Sequence, residues 1–361
     1  MLTHLVNADI FPSSMPVYID NGFGGKFLSA EDMYSESAAL LPSNVKLDRI
    51  HPFIPSAENG FPLIGFGSWP LTGDECKNAV LKALKTGYRL IDTSENYNNE
   101  KAIGEAIRES GLERHKIMVA SKLSHNHHYG AGVTTDAFYA TLDNLGVTYM
   151  DVYMLHGAIG DKRRLKEAWL ELEELYKAGK IKYLGVSNFG PSDIEQLLEF
   201  ATVKPSFVQN KFDPFTQGQQ TPWMPNILEW VNWYNRRQRE EFGADAHQML
   251  VQAYCILNNW PHQVRAARDK HIEWIAEKYD VSTAQLLIRW ALQHKNVAVL
   301  TRSSHEERQL NNLNVFAFRI SDLDMQLLNG LITLFSPFDI GYMNDVYGQV
   351  SNRPGMNHQE L

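Results

Sequence analysis

The chain has 361 residues, 44% hydrophobic and 21% charged, with a formal net charge of -8. That composition supports a large core and excludes wholesale disorder. The acidic balance argues against a nucleic acid or an anionic membrane surface as partner. Two cysteines, Cys76 and Cys255, provide no disulfide framework and suit a reducing, cytoplasmic setting. The opening MLTHLVNADIFPSS has neither a basic start nor a long apolar run, so no signal peptide is expected, and no apolar run is long enough to span a membrane.

Residues 1–50 show no steady period. Gly22, Gly24 and Gly25 lack the strand-then-helix frame of a dinucleotide turn, so this stretch reads as an N-terminal extension. His51 to Gly65 reads as a hairpin turning at Asn59-Gly60, a strong two-residue turn signal. Strand and helix patterns then alternate. Pro62–Trp69 leads to a helix near Glu75–Lys85, Arg89–Thr93 to Glu100–Ser110, and Ile117–Leu123 to Thr134–Leu145. Asp151–His156 leads to Lys162–Ala178, Ile181–Asn188 to Ser192–Phe200, and Phe207–Phe212 to Ile227–Arg239. Leu250–Tyr254 precedes Arg265–Tyr279 and Ser282–Gln293, and Val297–Arg302 precedes a short helix from Glu306. A terminal helix is expected over Phe318–Leu334 with Ser321 as its N-cap, followed by an irregular tail over 336–361.

About eight βα units imply a parallel sheet, and no GxGxxG follows any strand. A (β/α)8 TIM barrel over 51–335 fits better than a Rossmann domain, with its active site at the carboxyl ends of the strands.

Several polar residues fall at that edge. In YRLIDTSENYNNEKAIGEAI the apolar run ends at Asp92, Tyr97 follows in a loop, and a helix with Ile103 and Ile107 on one face comes next. Lys122 closes IMVASKL and His156 closes DVYMLH. Singly these are ordinary: a turn carboxylate, a half-buried aromatic, a surface lysine, a structural histidine. Together they sit at the ends of three consecutive strands and make sense for carbonyl reduction. Hydride addition puts charge on the carbonyl oxygen, which needs a proton donor. A tyrosine, with a pKa of about 10, donates poorly near neutrality unless a neighbouring ammonium stabilises its phenolate. Tyr97 is the expected acid, Lys122 the group that lowers its pKa, Asp92 the anchor of Lys122, and His156 the residue that orients the carbonyl.

This set, with Asn99-Glu100 opening a helix that contains Gly104, resembles the signature of the aldo-keto reductases, and the likeness runs from about Phe61 to Leu331. The resemblance implies a nicotinamide cofactor, NADPH/NADP+, and a small carbonyl or alcohol substrate. In GVSNFG, Ser187 and Asn188 match the family's carboxamide-binding pair, and in FVQNKFDPF so does Gln209. Tyr254 in VQAYCIL matches the aromatic on which the nicotinamide stacks, and Gly67, Ser68 and Leu257 join the expected cofactor contacts. In LTRSSHEERQLNN, Arg302 and Arg308 are expected to hold the 2′-phosphate with Ser303 and Ser304, and Asn312 to reach the adenine.

Departures from the family are equally specific. Arg302 stands for a usual lysine, Asn311 for a glutamate near the adenine, and Cys255-Ile256 for Ser-Pro. Trp69 matches a pocket tryptophan. Ser124 and Gly157 stand where aromatics are expected, which widens the substrate pocket. His125, His127 and His128 follow Lys122 but lack metal-ligand spacing, so they read as a pocket-lining loop and no metal is expected. A non-catalytic nicotinamide-binding regulatory subunit of the same fold is the alternative, and the complete set of four residues weighs against it. A carboxylate hydrolase needs two acids across the barrel mouth, and Asp92 is the one strand-end acid placed.

Overall fold

A computed structural model describes residues 53–54, 61–215, 217, 226–243, 246–257, 269–294 and 296–331. The extension over 1–50, the Asn59-Gly60 turn and the tail over 336–361 lie outside the described residues.

Two short strands, β1 (Phe53–Ile54) and β2 (Phe61–Pro62), pair antiparallel as the hairpin reading requires. Eight parallel strands then close a barrel: β3 (Ile64–Gly67), β4 (Leu90–Asp92), β5 (Met118–Leu123), β6 (Met150–Leu155), β7 (Ile181–Ser187), β8 (Phe207–Lys211), β9 (Leu250–Tyr254) and β10 (Val297–Thr301), with β10 pairing back onto β3. The single run expected over Pro62–Trp69 is therefore two strands. Phe61 and Pro62 pair with the hairpin, while Ile64 onward pairs with β4 and β10.

The helices are α1 (Gly73–Thr86), α2 (Glu100–Glu109), α3 (Val133–Leu145), α4 (Lys162–Lys177), α5 (Pro191–Leu198), α6 (Ile227–Phe242), α7 (Lys270–Lys278), α8 (Thr283–Leu292), α9 (Glu306–Leu313) and α10 (Asp322–Gly330). Side-chain caps set several starts. Asp161 accepts from Arg164 N before α4, Asp269 from His271 N before α7, and Ser282 and Gln285 form a reciprocal box at α8. Ser321 accepts from Asp324 N, so α10 begins after its cap and not at Phe318.

Strands β6 and β10 are buried along their whole length, as parallel strands wrapped by helices must be. The glycine inside α2 has a packing reason. A Cβ on Gly104 would lie 2.2 Å from the backbone oxygen of Leu145, where α3 ends against α2. Backbone cannot swing aside as a side chain can, so the two helices would have to separate. We expect Gly104→Ala to cost about 1–3 kcal/mol and lower Tm by a few degrees. An unchanged melting curve would show that α2 and α3 are less closely packed than this.

Candidate active site

The barrel places one polar side chain after another on its carboxyl-end rim. Asp92 ends β4, Lys122 is next to last in β5, and His156 follows β6. Lys122 Nζ donates to Asp92 Oδ1 at 2.7 Å and to the Thr93 carbonyl at 2.7 Å. Gln209 Nε2, from β8 across the barrel, donates to Asp92 Oδ2 at 2.8 Å. Asp92 and Lys122 are 3% and 0% exposed, so the ion pair is part of the interior. Burial pushes the carboxyl up and the ammonium down, and their mutual contact opposes both shifts.

Tyr97 ends a 3-10 turn, Glu95–Tyr97, closed by Asn98 at φ 55°, a left-handed conformation that asparagine tolerates. The loop is tied down from both sides. Thr93 Oγ1 donates to Asn99 Oδ1 at 2.5 Å, and Asn99 Nδ2 donates to Ser68 Oγ at 3.1 Å and to the Leu71 carbonyl at 2.8 Å. The Glu95 carboxylate accepts from Ser124 N and His125 N at 2.5 and 2.7 Å and contacts His128 Nδ1 at 2.9 Å. Neither Glu95 nor Ser94 stands out in the sequence. The one hint is their place directly after Asp92-Thr93.

The Tyr97 hydroxyl lies 3.5 Å from His156 Nε2, and Lys122 Nζ stands over its ring, 5.1 Å from the centroid. The Lys122 ammonium does not bring this phenol below the ordinary tyrosine value. Burial first, and the Asp92 carboxylate second, hold it well above the ordinary tyrosine value. The phenol is therefore fully protonated at neutral pH. His156 meets Ser94 Oγ at 3.0 Å and Ser124 Oγ at 2.5 Å through Nδ1.

The expected cofactor residues fall into two groups. Near the ion pair, Ser187 is buried at the end of β7, and Asn188 follows it at φ 57°. Asn188 Nδ2 donates to the His156 carbonyl at 2.8 Å, and the Tyr254 hydroxyl donates to Asn188 Oδ1 at 2.5 Å. Gly67 at the end of β3, Tyr254 at the end of β9 and Leu257 just beyond it are half-buried, whereas Ser68 is fully buried with its hydroxyl taken by Asn99. At the far edge, Arg302 and Arg308 are exposed, and Ser303 Oγ accepts from His305 N at 3.1 Å just before α9. Lys82 of α1 donates to the Ser304 carbonyl at 3.2 Å, and Lys85 pairs with Glu306 at 3.4 Å. An open cleft of about 560 Å³ lies there, between α1 and Ser304–Glu307. Asn312 is buried. Asn311 is exposed.

Trp69, Ser124 and Gly157 are all half-buried on the rim. A Cβ on Gly157 would meet no atom within 4 Å. Among the described residues no helix is long and apolar enough to cross a membrane.

A closed parallel barrel with a buried ion pair, a phenol and an imidazole gathered at its carboxyl-end mouth has the organisation of a barrel enzyme. The chain belongs to the aldo/keto reductase family, whose model matches residues 63–333, and it is an oxidoreductase of that class. It is 33% identical over 308 residues to the NAD(P)H-dependent D-xylose reductase I,II of Candida tropicalis, covering 76% of this chain and 91% of that protein. It is 35% identical over 272 residues to the glyoxal reductase of Bacillus subtilis (strain 168), covering 75% and 88%. Among solved structures it resembles MGS-M4, an aldo-keto reductase from a Medee basin deep-sea metagenome library, at TM-score 0.67 and 30% identity, covering 77% and 94%. A Gox0644 variant in complex with NADPH matches at TM-score 0.65 and 28% identity, covering 78% and 93%.

Burial, then the Lys122 ammonium, hold the His156 imidazole down to about 3 from an ordinary 6.5. The unfolded chain takes up a proton at this histidine near pH 6.5 that the native site refuses. His156 therefore favours folding above pH 6.5 and loses that contribution as pH falls toward 3. We expect His156 ring resonances to show no titration between pH 5 and 8, by NMR. A midpoint near 6.5 would mean that the ring is solvated and the ammonium distant.

Proposed function

We propose that the protein reduces an aldehyde or ketone to the alcohol, with NADPH as reductant. The observation that carries this reading is the gathering of Asp92, Tyr97, Lys122 and His156 at one mouth, with the lysine and the phenol in ring contact. Two sets of residues suit the cofactor. Ser187, Asn188 and Gln209 offer amide and hydroxyl partners for a carboxamide beside the flat ring of Tyr254. Arg302 and Arg308, exposed next to Ser303 and Ser304, offer guanidinium forks for a phosphate. Salt bridging by Lys85 offsets the negative charge of Glu306 in that segment. When bound, NADPH supplies the hydride that reaches the carbonyl carbon.

The chain's own residues do the rest. As negative charge grows on the carbonyl oxygen, Tyr97 gives up its hydroxyl proton to that oxygen. A phenol held above its usual pKa keeps that proton until substrate arrives. The Lys122 ammonium, fixed by Asp92 and the Thr93 carbonyl, stands over the Tyr97 ring and stabilises the phenolate left behind. His156 adds a hydrogen bond to the same oxygen. Gln209 contacts Asp92 directly, so the carboxamide end of the site and the ion pair share one hydrogen-bonded unit.

Tyr97→Phe keeps the ring and its packing but removes the proton. Steady-state kinetics should show carbonyl reduction reduced about 10²–10⁴-fold with NADPH binding intact. Lys122→Met should also lose activity, and the double variant should lose little more than the worse single one. Near-normal turnover by Tyr97→Phe would falsify the mechanism.

Cofactor choice is tested at Arg302. Arg302→Ala should weaken NADPH binding about tenfold or more, the worth of a charge-assisted contact, and leave NADH binding little changed. Equal affinity of the unmutated protein for the two cofactors, measured by fluorescence titration, would remove the phosphate role.

The open rim at Gly157 and Ser124 favours bulky or extended carbonyls. Gly157→Trp should cut kcat/KM on large substrates more than on small ones. Equal losses on both would place Gly157 outside the pocket.

A further inference from the structure

Two serine hydroxyls converge on the side of His156 that faces away from Tyr97. Ser94 Oγ is 3.0 Å and Ser124 Oγ 2.5 Å from Nδ1, and the two hydroxyls are hydrogen-bonded to each other. Ser94 is fully buried two residues beyond Asp92, and Ser124 lies half-buried two residues beyond Lys122. The imidazole is thus gripped by the same two segments that carry Asp92, Tyr97 and Lys122. Ser94 meets Tyr97 through the backbone alone, its carbonyl accepting from Tyr97 N at 3.0 Å, a contact an alanine keeps; the two hydroxyls act on His156.

A neutral imidazole has one N–H, and its tautomer decides what each nitrogen can do. Burial and the Lys122 ammonium keep His156 neutral over the working range. Nε2 is the nitrogen that faces the Tyr97 hydroxyl. His156 can therefore donate to the carbonyl oxygen only from Nε2–H, which leaves Nδ1 bare and in need of a donor. Ser124 Oγ is the nearest one. If Ser94 gives its proton to Ser124 Oγ, the Ser124 proton is free for Nδ1, and a directed chain runs from Ser94 through Ser124 to the ring.

The opposite arrangement sends the Ser124 proton to Asn96 Oδ1 at 3.1 Å and the Ser94 proton to the Lys122 carbonyl at 3.2 Å, and then needs a proton on Nδ1. Both of those contacts are longer than the ones in the chain toward the ring. Asn96 is also exposed, so water can satisfy its amide.

We propose that Ser94 and Ser124 are positioning residues that fix His156 as its Nε2–H tautomer, so that the imidazole donates to the substrate carbonyl beside the Tyr97 hydroxyl. The donation to a carbonyl presupposes the reductase reading of this site, whereas the tautomer does not. Among the described residues, side chains without a hydroxyl at these two positions leave Nδ1 without a donor, and the ring is then free to take the other tautomer.

The test is spectroscopic first. Full-length protein labelled with 15N at histidine reports the tautomer through its two ring-nitrogen shifts, with the His156 signals identified by their loss in His156→Gln. We expect the proton on Nε2 in the unmutated protein and a shift toward Nδ1–H in Ser94→Ala/Ser124→Ala. Ser124→Ala alone, at the half-buried rim, gives the same comparison should the double variant fail to fold. Carbonyl reduction should fall about tenfold in kcat, with NADPH affinity unchanged, and Ser124→Thr should restore most of it by returning a hydroxyl. An Nδ1–H tautomer in the unmutated protein, or a tautomer unmoved by Ser124→Ala, overturns the assignment. Absence of reduction on every carbonyl tested would instead remove the reductase reading and leave the tautomer result standing.

Discussion

The Asp92–Lys122 ion pair is the interaction on which the rest of the site depends. Two opposite charges sit in an interior where each alone would be costly. Breaking such a pair by removing one partner costs about 3–5 kcal/mol, because the other charge is left uncompensated. The surroundings meet most of the remaining demand. Asp92 uses one oxygen for Lys122 and the other for Gln209, and Lys122 spends a second proton on the Thr93 carbonyl. The ammonium is then fixed against the Tyr97 ring, and Tyr97 is fixed against His156. A long, flexible lysine becomes a rigid part of the barrel floor because its partners leave it no alternative.

Barrel register explains why residues far apart in sequence meet there. β4 pairs with β5 so that Asp92 lies beside Ala120, and Lys122 lies two residues further toward the rim. One more pairing puts Lys122 beside Met154, and His156 again two residues further on. Each step round the barrel raises the functional residue toward the mouth, so the buried carboxylate, the ammonium and the half-buried imidazole form an ascending series. Tyr97 is delivered by a loop and not by a strand, and so its placement needs separate support from Asn99 below and Glu95 beside it.

How much of this was legible follows from what each feature depends on. The strand and helix alternation, and the polar residues that end the strands, are written in local order, and the barrel and the position of its four key residues could be read from it. The division of Pro62–Trp69 into two strands depends on which neighbours pair with Phe61 and Ile64, which no local pattern contains. The direction of the Tyr97 shift is not legible in the sequence, because a sequence shows that a lysine is near but not how much water is lost around the phenol, and burial is the largest cause here. Ser94 and Glu95 were passed over for a related reason. Small polar residues in a loop look interchangeable until the partners across the rim are known, and those partners lie just after β5 and just after β6.

Ser124 shows how a single position can carry two consequences of opposite kinds. Where a large aromatic would close the rim, a serine opens space and brings a hydroxyl to Nδ1. Its backbone nitrogen is also held by Glu95, so the hydroxyl is not free to wander from the ring. A wider pocket loses some of the walls that orient a substrate by shape. A histidine held by two hydroxyls recovers part of that orientation by hydrogen bonding, because a fixed donor selects one direction of approach for the carbonyl oxygen. Under the proposed reductase reading, the loss of aromatic walls and the gain of a polar clamp come from the same residue, which ties substrate breadth to the geometry of proton donation.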